Sequence, residues 1–284
     1  MFKKIFFVTA LLLASLLSAK PVVIASIAPV GYLAKAVGGD KIEVQSLAKG
    51  DVHSYEPKPN DMKAVAKARI FIAAGLEFEE AWIPRFKASA KNLVVVKSDA
   101  KIAKLKEERG EQAEHDEKHE AHADPHVWLN PMLAITMARN ISDALIDMDK
   151  ANKDFYLENF QKLMNDLLAF DESAKESLAG LKNRKFVVYH PAWGYFAEHY
   201  DLEQISIERN GKEPKIDEMA STLKMIKDEN IKVIFADPNR SQKSAQILAS
   251  QTGAKVELLD PLGYNLLENL KIAVGAIKDA NSPK

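Results

Sequence analysis

The chain has 284 residues, of which 47% are hydrophobic and 28% are charged. That composition is ordinary for a globular protein and supplies enough apolar material for one large core or two smaller ones. The formal net charge of −1 argues against a nucleic-acid partner or an anionic membrane surface, both of which call for an excess of Lys and Arg. The chain contains no cysteine, which excludes disulfides and thiolate zinc sites, so any bound metal must use His, Asp or Glu.

The first 19 residues have the pattern of a secretory signal peptide. Lys3 and Lys4 precede an apolar run over residues 5–17, and two small residues follow it. An anchoring helix is the alternative, but this apolar run is too short to span a bilayer. We therefore expect residues 1–19 to be removed on export to the periplasm, and no lipid anchor, because no cysteine is present to carry one.

Short runs rich in Val and Ile then alternate with longer segments of helical spacing. This alternation predicts parallel α/β structure. The predicted strands form two sets, at 22–26, 42–47, 70–75 and 93–97, then at 185–190, 203–208, 232–237 and 255–260. We predict two parallel-sheet α/β lobes, an N-terminal lobe over 20–148 and a C-terminal lobe over 182–284.

A linking helix is predicted between the lobes, over residues 149–181. Its apolar residues recur at steps of three to five, at Phe155, Phe160, Leu163, Leu167 and Phe170. The segment has no proline, and its only glycine lies near its end. A continuous helix is a stiff spacer, so we expect a hinge of limited travel.

Residues 104–124 are almost entirely charged, Ala or His, and include His115, His119 and His122. Because such a segment has no apolar face to bury, we predict a disordered, solvated loop. Pro125 disfavours a helix that would continue from this loop into His126.

Four metal-binding candidates stand at the ends of predicted elements. His53 and His126 belong to the N-terminal lobe, and His190 and Asp260 to the C-terminal lobe. Ligands of parallel α/β sheets bind beyond the carboxyl ends of strands, so a cleft between the lobes could collect all four. Three imidazoles and a carboxylate suit Zn²⁺; Ca²⁺ and Mg²⁺ prefer oxygen ligands, and manganese remains open.

Each candidate has a structural alternative, since a single His at a strand end can be a hydrogen-bonded core residue. Asp237 is a reserve oxygen ligand, with a role in a turn as its alternative. Glu56 is expected to orient a ligand or satisfy backbone groups, and His199, on a predicted helix, to face solvent.

Four segments together resemble one known family. They are APVGYLAKAVGGDKIEVQSLAKGDVHSYEPKPNDM, DPHVWLNP, YHPAWGYFAEHY and LLDPLG, in that order. They resemble the cluster A-I metal-binding solute-binding proteins of ABC importers, and most of all the zinc-uptake branch. The resemblance covers essentially the whole chain after residue 19.

The resemblance implies two α/β lobes bridged by a rigid helix, with the metal in the cleft between them. Its ligands fall on His53, His126 and His190, with Asp260 or a water completing the shell. Manganese binders of the family place a glutamate where this chain has His190, which favours zinc here. Val52 and Asn130 depart from the family pattern, at positions that are not ligands.

The resemblance also implies a function. Zn²⁺ would be the transported ligand, bound in the periplasm with high affinity and delivered to an inner-membrane permease driven by a cytoplasmic ATPase. We expect a monomer. In the loop, His115, His119 and His122 would form a secondary, weaker metal site, because ordering a disordered loop costs entropy. A purely solubilising insertion is the alternative.

Other function classes remain to be weighed. A manganese importer of the same family, a metal-dependent adhesin and a zinc buffer all stay open. We do not expect an enzyme, because the chain has no HExxH motif and HEAH at 119–122 has the wrong spacing. Since imidazoles must be neutral to bind metal, affinity should weaken as the pH falls through about 6.

Overall fold

The computed structural model describes residues 20–106, 123–208 and 216–281. The predicted signal peptide and the three loop histidines, His115, His119 and His122, lie outside the described residues. Two four-stranded parallel sheets with helices around them confirm the predicted fold class.

The N-terminal sheet has the strand order β2-β1-β3-β4, with every neighbouring pair parallel. Its strands are β1 Val22–Ala25, β2 Glu43–Ser46, β3 Ile70–Ala73 and β4 Val94–Lys97. The central strands β1 and β3 carry the most apolar runs, VVIA and IFIA, because helices cover both of their faces.

The C-terminal sheet repeats the same arrangement, with the order β6-β5-β7-β8. Its strands are β5 Lys185–Val188, β6 Glu203–Ser206, β7 Val233–Ala236 and β8 Lys255–Leu258. In both sheets the chain reverses its direction of winding between the first and third strands. Such a reversal opens a crevice at the carboxyl ends of the strands, which is where α/β folds bind ligands.

Nine α-helices occur within the described residues. They are α1 Ala28–Gly38, α2 Pro59–Val65, α3 Glu77–Ser89, α4 Pro131–Met148, α5 Lys153–Ala179, α6 Gly194–His199, α7 Ile216–Asp228, α8 Lys243–Thr252 and α9 Leu266–Asn281. Asn130 caps α4, where its Oδ1 accepts hydrogen bonds from the backbone N–H groups of Met132 and Leu133. The departure from the family pattern at Asn130 therefore still provides a helix cap.

Helix α5 is the long linking element. Its 27 residues span about 40 Å at 1.5 Å per residue. Tyr156, Phe160, Leu163 and Leu167 form part of its buried face, and they follow one another at steps of four, three and four. The helix packs on α1 and α4 of the first lobe and on α9 of the second. Both lobes therefore rest on one stiff element.

A single apolar core runs from the first lobe through α5 into the second. It includes Val23 and Ile72 from the N-terminal sheet, Leu167 from α5, and Phe186 and Phe235 from the C-terminal sheet. Separating the lobes widely would expose part of this shared core to water, at about 25 cal/mol per Å² of apolar surface. Packing thus favours small relative movements of the lobes.

Polar contacts also join the lobes near the carboxyl ends of the strands. The indole N–H of Trp128, in a short 3-10 turn over Val127–Leu129, donates to the carbonyl of Pro261 at 2.8 Å. The Tyr195 hydroxyl donates to the Asp124 carbonyl at 2.7 Å and accepts from the Leu105 N–H at 2.8 Å. These bonds, two of them buried, fix how the two strand edges face each other.

The loop predicted over residues 104–124 includes folded residues at both of its ends. Lys104 pairs with Asp99 at 2.8 Å, Lys106 and Ala123 form an antiparallel bridge, and Asp124 is buried. The two ends of the segment are therefore adjacent and belong to the folded lobe. None of the helices in the part of the chain that the structure describes has the length and hydropathy needed to cross a membrane.

Candidate metal centre

Three histidines converge between the lobes. His53, His126 and His190 each offer a ring nitrogen, and these three atoms lie within 4.8 Å of one another. The Nε2 atoms of His53 and His190 are 3.2 Å apart. Two nitrogens bound to one tetrahedral zinc at 2.0–2.1 Å would be separated by about 3.3 Å. The spacing of these imidazoles thus matches a shared Zn²⁺ ion.

His53 lies in the loop after β2, on the solvent side of the group. Its backbone N–H donates to Asp51 Oδ1 at 3.1 Å, and the Ser54 hydroxyl donates to Asp51 Oδ2 at 3.1 Å. These bonds turn the loop so that its imidazole meets the other two. Val52, beside it, is buried. His53 is thus the residue of the three that solvent reaches most easily.

His126 is positioned by Asp124, two residues before it. Asp124 Oδ1 accepts from the backbone N–H of His126 at 2.9 Å and from its Nδ1 at 2.7 Å. Both side chains are buried. A ring that donates through Nδ1 keeps the Nε2 lone pair free for a metal, so the carboxylate selects the tautomer that can bind.

His190 follows β5 and meets two charged partners. Its Nδ1 lies 2.8 Å from Glu208 Oε2, which comes just after the neighbouring strand β6. Arg240, in the loop after β7, places Nη1 at 2.9 Å from the same Nδ1 and Nη2 at 2.8 Å from Glu208 Oε1. Three loops at one edge of the sheet thus hold this imidazole.

The electrostatics of the centre favour neutral imidazoles. Burial, followed by the influence of His126, lowers the pKa of His53 from 6.5 to about 4. Burial, His126 and Arg240 also lower the pKa of His190 well below 6.5. A neutral ring is the form that binds metal, so both groups are ready as ligands at neutral pH.

Asp260, predicted as the fourth ligand, lies outside the group of three histidines. Its Oδ1 accepts hydrogen bonds from Asn239 Nδ2 at 2.8 Å and from the Leu262 N–H at 2.9 Å. Asp237, the reserve ligand, accepts from the Asn239 backbone and side chain and forms a turn. It also lines a small pocket with His190 and Trp193, and burial raises its pKa.

Two other sequence expectations turn out differently. His199 does not face solvent: its Nε2 lies 2.6 Å from Asp171 Oδ1, which places it in a contact between α6 and α5. Asp171 is a buried carboxylate that pairs with both His199 and Lys175. Glu56 is exposed, and the carboxylates that orient the imidazoles are Asp124 and Glu208.

Sequence reasoning missed Asp124, Glu208 and Arg240. Asp124 lies in the DPH segment, where an acid two residues before a ligand is a pattern that suggests support of the ring. Glu208 comes just after β6, which pairs with β5, so the pairing of these two strands would have indicated it once the sheet order was known. Arg240 follows β7 in the loop FADPNR, with no local pattern that links it to a histidine 50 residues earlier.

The donor set of this centre fits one divalent cation of intermediate softness. Three imidazoles with carboxylates behind two of them resemble the ligand shells of zinc proteins. No thiolate is available, and the described group contains no direct carboxylate ligand, which disfavours Ca²⁺ and Mg²⁺.

Comparisons with known proteins agree with this chemistry. The family model described as "ZnuA: Zinc-uptake complex component A periplasmic" matches residues 23–280. A "Putative metal-binding protein" of Treponema pallidum (strain Nichols) is 34% identical over 243 residues, which cover 82% of this chain and 77% of that protein. The "High-affinity zinc uptake system protein ZnuA" of Bacillus subtilis (strain 168) is 30% identical over 279 residues, which cover 91% of this chain and 86% of that protein.

Solved structures give the same picture. One described as "Crystal structure of ZnuA" superposes with a TM-score of 0.86 at 34% identity. The superposition covers 92% of this chain and 99% of the other. The likeness therefore extends over both lobes and the helix between them.

The carboxylates behind the imidazoles should contribute to zinc affinity without touching the ion. We expect D124N and E208Q each to weaken zinc binding about 10- to 100-fold, because an amide holds the ligand-competent tautomer less firmly than a carboxylate. Competition titration against a zinc chelator measures the change. E56Q, at an exposed acid of the His53 loop, is the matched control and should leave the affinity unchanged; equal effects in all three variants would contradict this assignment.

The lowered pKa values move the expected pH dependence below pH 6. Two imidazoles with an ordinary pKa of 6.5 would together weaken zinc binding roughly 600-fold between about pH 7 and pH 5. Because a lowered pKa keeps a ring neutral to lower pH, these two groups should compete with zinc only as the pH approaches about 4. We expect the measured dissociation constant for zinc to rise less than about 30-fold between about pH 7 and pH 5. A rise of several hundred-fold would contradict the lowered pKa values of His53 and His190.

Proposed function

Because the chain belongs to the family of periplasmic zinc-uptake components, we propose that it captures Zn²⁺ and delivers it to an ABC importer. The observation that carries this proposal is the convergence of His53, His126 and His190 from two lobes on one point. A centre shared between lobes is suited to capture and release, because a small change in their separation changes the coordination of the ion.

The ligands proposed are these three histidines, with Asp260 or a water as the fourth. Asp260 follows β8 at the same edge of the sheet as His190, which supports its candidacy. In the structure its Oδ1 accepts two hydrogen bonds. As the fourth ligand, Asp260 would have to come closer to the three imidazoles, because it lies outside the group whose ligand atoms are within 4.8 Å of one another.

Zinc is favoured over manganese by the chemistry of the donors. Manganese prefers oxygen ligands, whereas the three clustered donors here are all imidazole nitrogens. The ligand proposed from the second lobe, His190, is buried and hydrogen-bonded through Nδ1, so it offers the ion a nitrogen atom. A manganese carrier with this fold would be expected to have an oxygen ligand in place of His190.

The proposed setting follows from the family. We propose that the mature chain works in the periplasm without a lipid anchor, as a monomer, together with an inner-membrane permease and a cytoplasmic ATPase. The family consists of transport components rather than enzymes. We propose accordingly that the centre holds its ion for transfer and carries out no reaction on a substrate.

A secondary site is proposed in the segment that contains His115, His119 and His122. These residues lie outside the described residues, so the proposal depends on their composition alone. The segment is anchored at both ends, since Lys106 and Ala123 form a bridge and the Asp124 N–H donates to the Leu105 carbonyl at 2.9 Å. Metal gathered there would be held close to His126.

Transport can be tested by growth. A strain that lacks the protein should fail to grow under zinc chelation, and added zinc, but not manganese, should rescue it. The wild-type chain should restore growth, whereas H190A should not, because loss of one of three imidazoles weakens zinc binding by more than about 100-fold. H199Q, which changes a histidine outside the centre, is the matched control; equal growth with H190A and H199Q would refute the proposal.

Removal of the histidine-rich segment tests the secondary site. The bridge between Lys106 and Ala123 allows residues 107–122 to be replaced by a short Gly-rich turn. Titration calorimetry should then lose a weak zinc-binding phase and keep the tight one, because the three central histidines are retained. The triple variant H115Q/H119Q/H122Q keeps the length and acidity of the segment and should lose the same phase, and an unchanged zinc stoichiometry would rule the site out.

A further inference from the structure

We infer that Arg240 is a positioning residue that couples zinc binding at His190 to the opposite lobe through Asp51. The inference rests on the proposed function and adds to it a contact that changes partners when the ion binds. The contact lies behind the ligands and involves no atom of the coordination shell.

Two side chains compete for a hydrogen bond with the same atom of His190, Nδ1. Glu208 Oε2 and Arg240 Nη1 both approach Nδ1 of the ring, at 2.8 Å and 2.9 Å. A guanidinium can only donate hydrogen bonds, and a carboxylate can only accept them. The single Nδ1 atom therefore bonds to Glu208 when it carries the proton and to Arg240 when it does not.

Zinc binding would determine whether Nδ1 of His190 bonds to Glu208 or to Arg240. The Nε2 atom of this ring faces Nε2 of His53 at 3.2 Å, so Nε2 is the atom that an ion would take. Once zinc occupies Nε2, the ring proton must reside on Nδ1, and Nδ1 then donates to Glu208. Arg240 Nη1 loses its acceptor at that moment.

A second acceptor for the same nitrogen is already close, on the other lobe. Arg240 Nη1 lies 3.8 Å from Asp51 Oδ1. Arg240 Nη2 stays bound to Glu208 Oε1 at 2.8 Å, so a small rotation of the guanidinium can bring Nη1 to Asp51. Both side chains are partly buried, at 15% and 34% exposed, which lessens the screening of their attraction.

Asp51 transmits the contact to a metal ligand. Its two carboxylate oxygens hold the His53 N–H and the Ser54 hydroxyl, and so shape the loop that carries His53. Burial opposes ionisation of Asp51, yet Arg240 leads the influences that hold the pKa of this carboxyl below its ordinary value. A tighter bond from Arg240 to Asp51 would therefore hold the His53 loop against the second lobe while zinc is bound.

The rate of zinc release tests the coupling. We expect R240Q and D51N each to raise the dissociation rate about tenfold, the scale on which partners behind metal ligands act. Release is followed by stopped-flow mixing of the zinc-loaded protein with excess chelator. The double variant R240Q/D51N should release zinc no faster than the faster single variant, because both changes remove the same contact.

Controls separate this coupling from a loss of positive charge or of folding. R139Q removes an exposed arginine of α4, which packs over the Phe160 ring, and should leave the rate unchanged. R240K keeps the charge but lacks the two-nitrogen fork, so it should fall between wild type and R240Q. Thermal unfolding of each metal-free variant verifies that it is folded.

A spectroscopic readout follows the change of partners itself. With ¹⁵N-labelled arginine, the side-chain resonances of Arg240 should shift on zinc addition in both proteins, because Nη1 leaves Nδ1 of His190 in each. The shift should be larger in the wild type, where Nη1 also gains the Asp51 carboxylate. Multiplied rate effects in the double variant, unchanged rates in both single variants, or equal zinc-induced shifts in the wild type and D51N would each overturn the inference. Failure of the wild-type chain to bind zinc would instead refute the proposed function, on which the inference depends.

Discussion

The structure depends on holding three imidazoles within reach of one another. Protonated rings would repel one another at such short distances, and freely rotating rings would not keep their nitrogen atoms directed at one position. Burial lowers the pKa values of His53 and His190 and so keeps these two rings neutral, and Asp124 and Glu208 fix the orientation of His126 and His190. The third, His53, is fixed less directly, through the backbone of its loop. The centre is thus prepared more completely on its buried side than on its exposed side.

That preparation relies on elements far from the ion. Helix α5 packs on both lobes, and the apolar core continues through it. The bond from Trp128 to Pro261 and the bonds of Tyr195 lie between this core and the centre. Because the lobes share a hydrophobic interior, the distance between His126 and His190 is set by packing rather than by the ligands alone. A carrier built in this way can bind tightly without large domain closure.

Much of this could be predicted from the sequence, because local patterns carry it. The eight strands are visible as short runs that contain Val or Ile, and the long helix as apolar residues at helical spacing. The three histidines follow from the rule that ligands bind beyond the carboxyl ends of parallel strands. The partners of these residues were not predictable, since Glu208 and Arg240 reach His190 from other strands. His199 was misjudged for the same reason: its partner Asp171 lies on another helix. Side-chain pairing across elements is information that a one-dimensional pattern lacks.

The antiparallel bridge between Lys106 and Ala123 has a consequence for how this protein can vary. The fold already holds the two ends of the intervening segment together, so its length is nearly free of energetic penalty: doubling a loop costs only about 0.6 kcal/mol in closure entropy. Insertions or a fused reporter domain could be accepted there without disturbing the core. Yet the exit point at Ala123 is three residues from His126, so whatever is inserted there is tethered close to one of the three imidazoles.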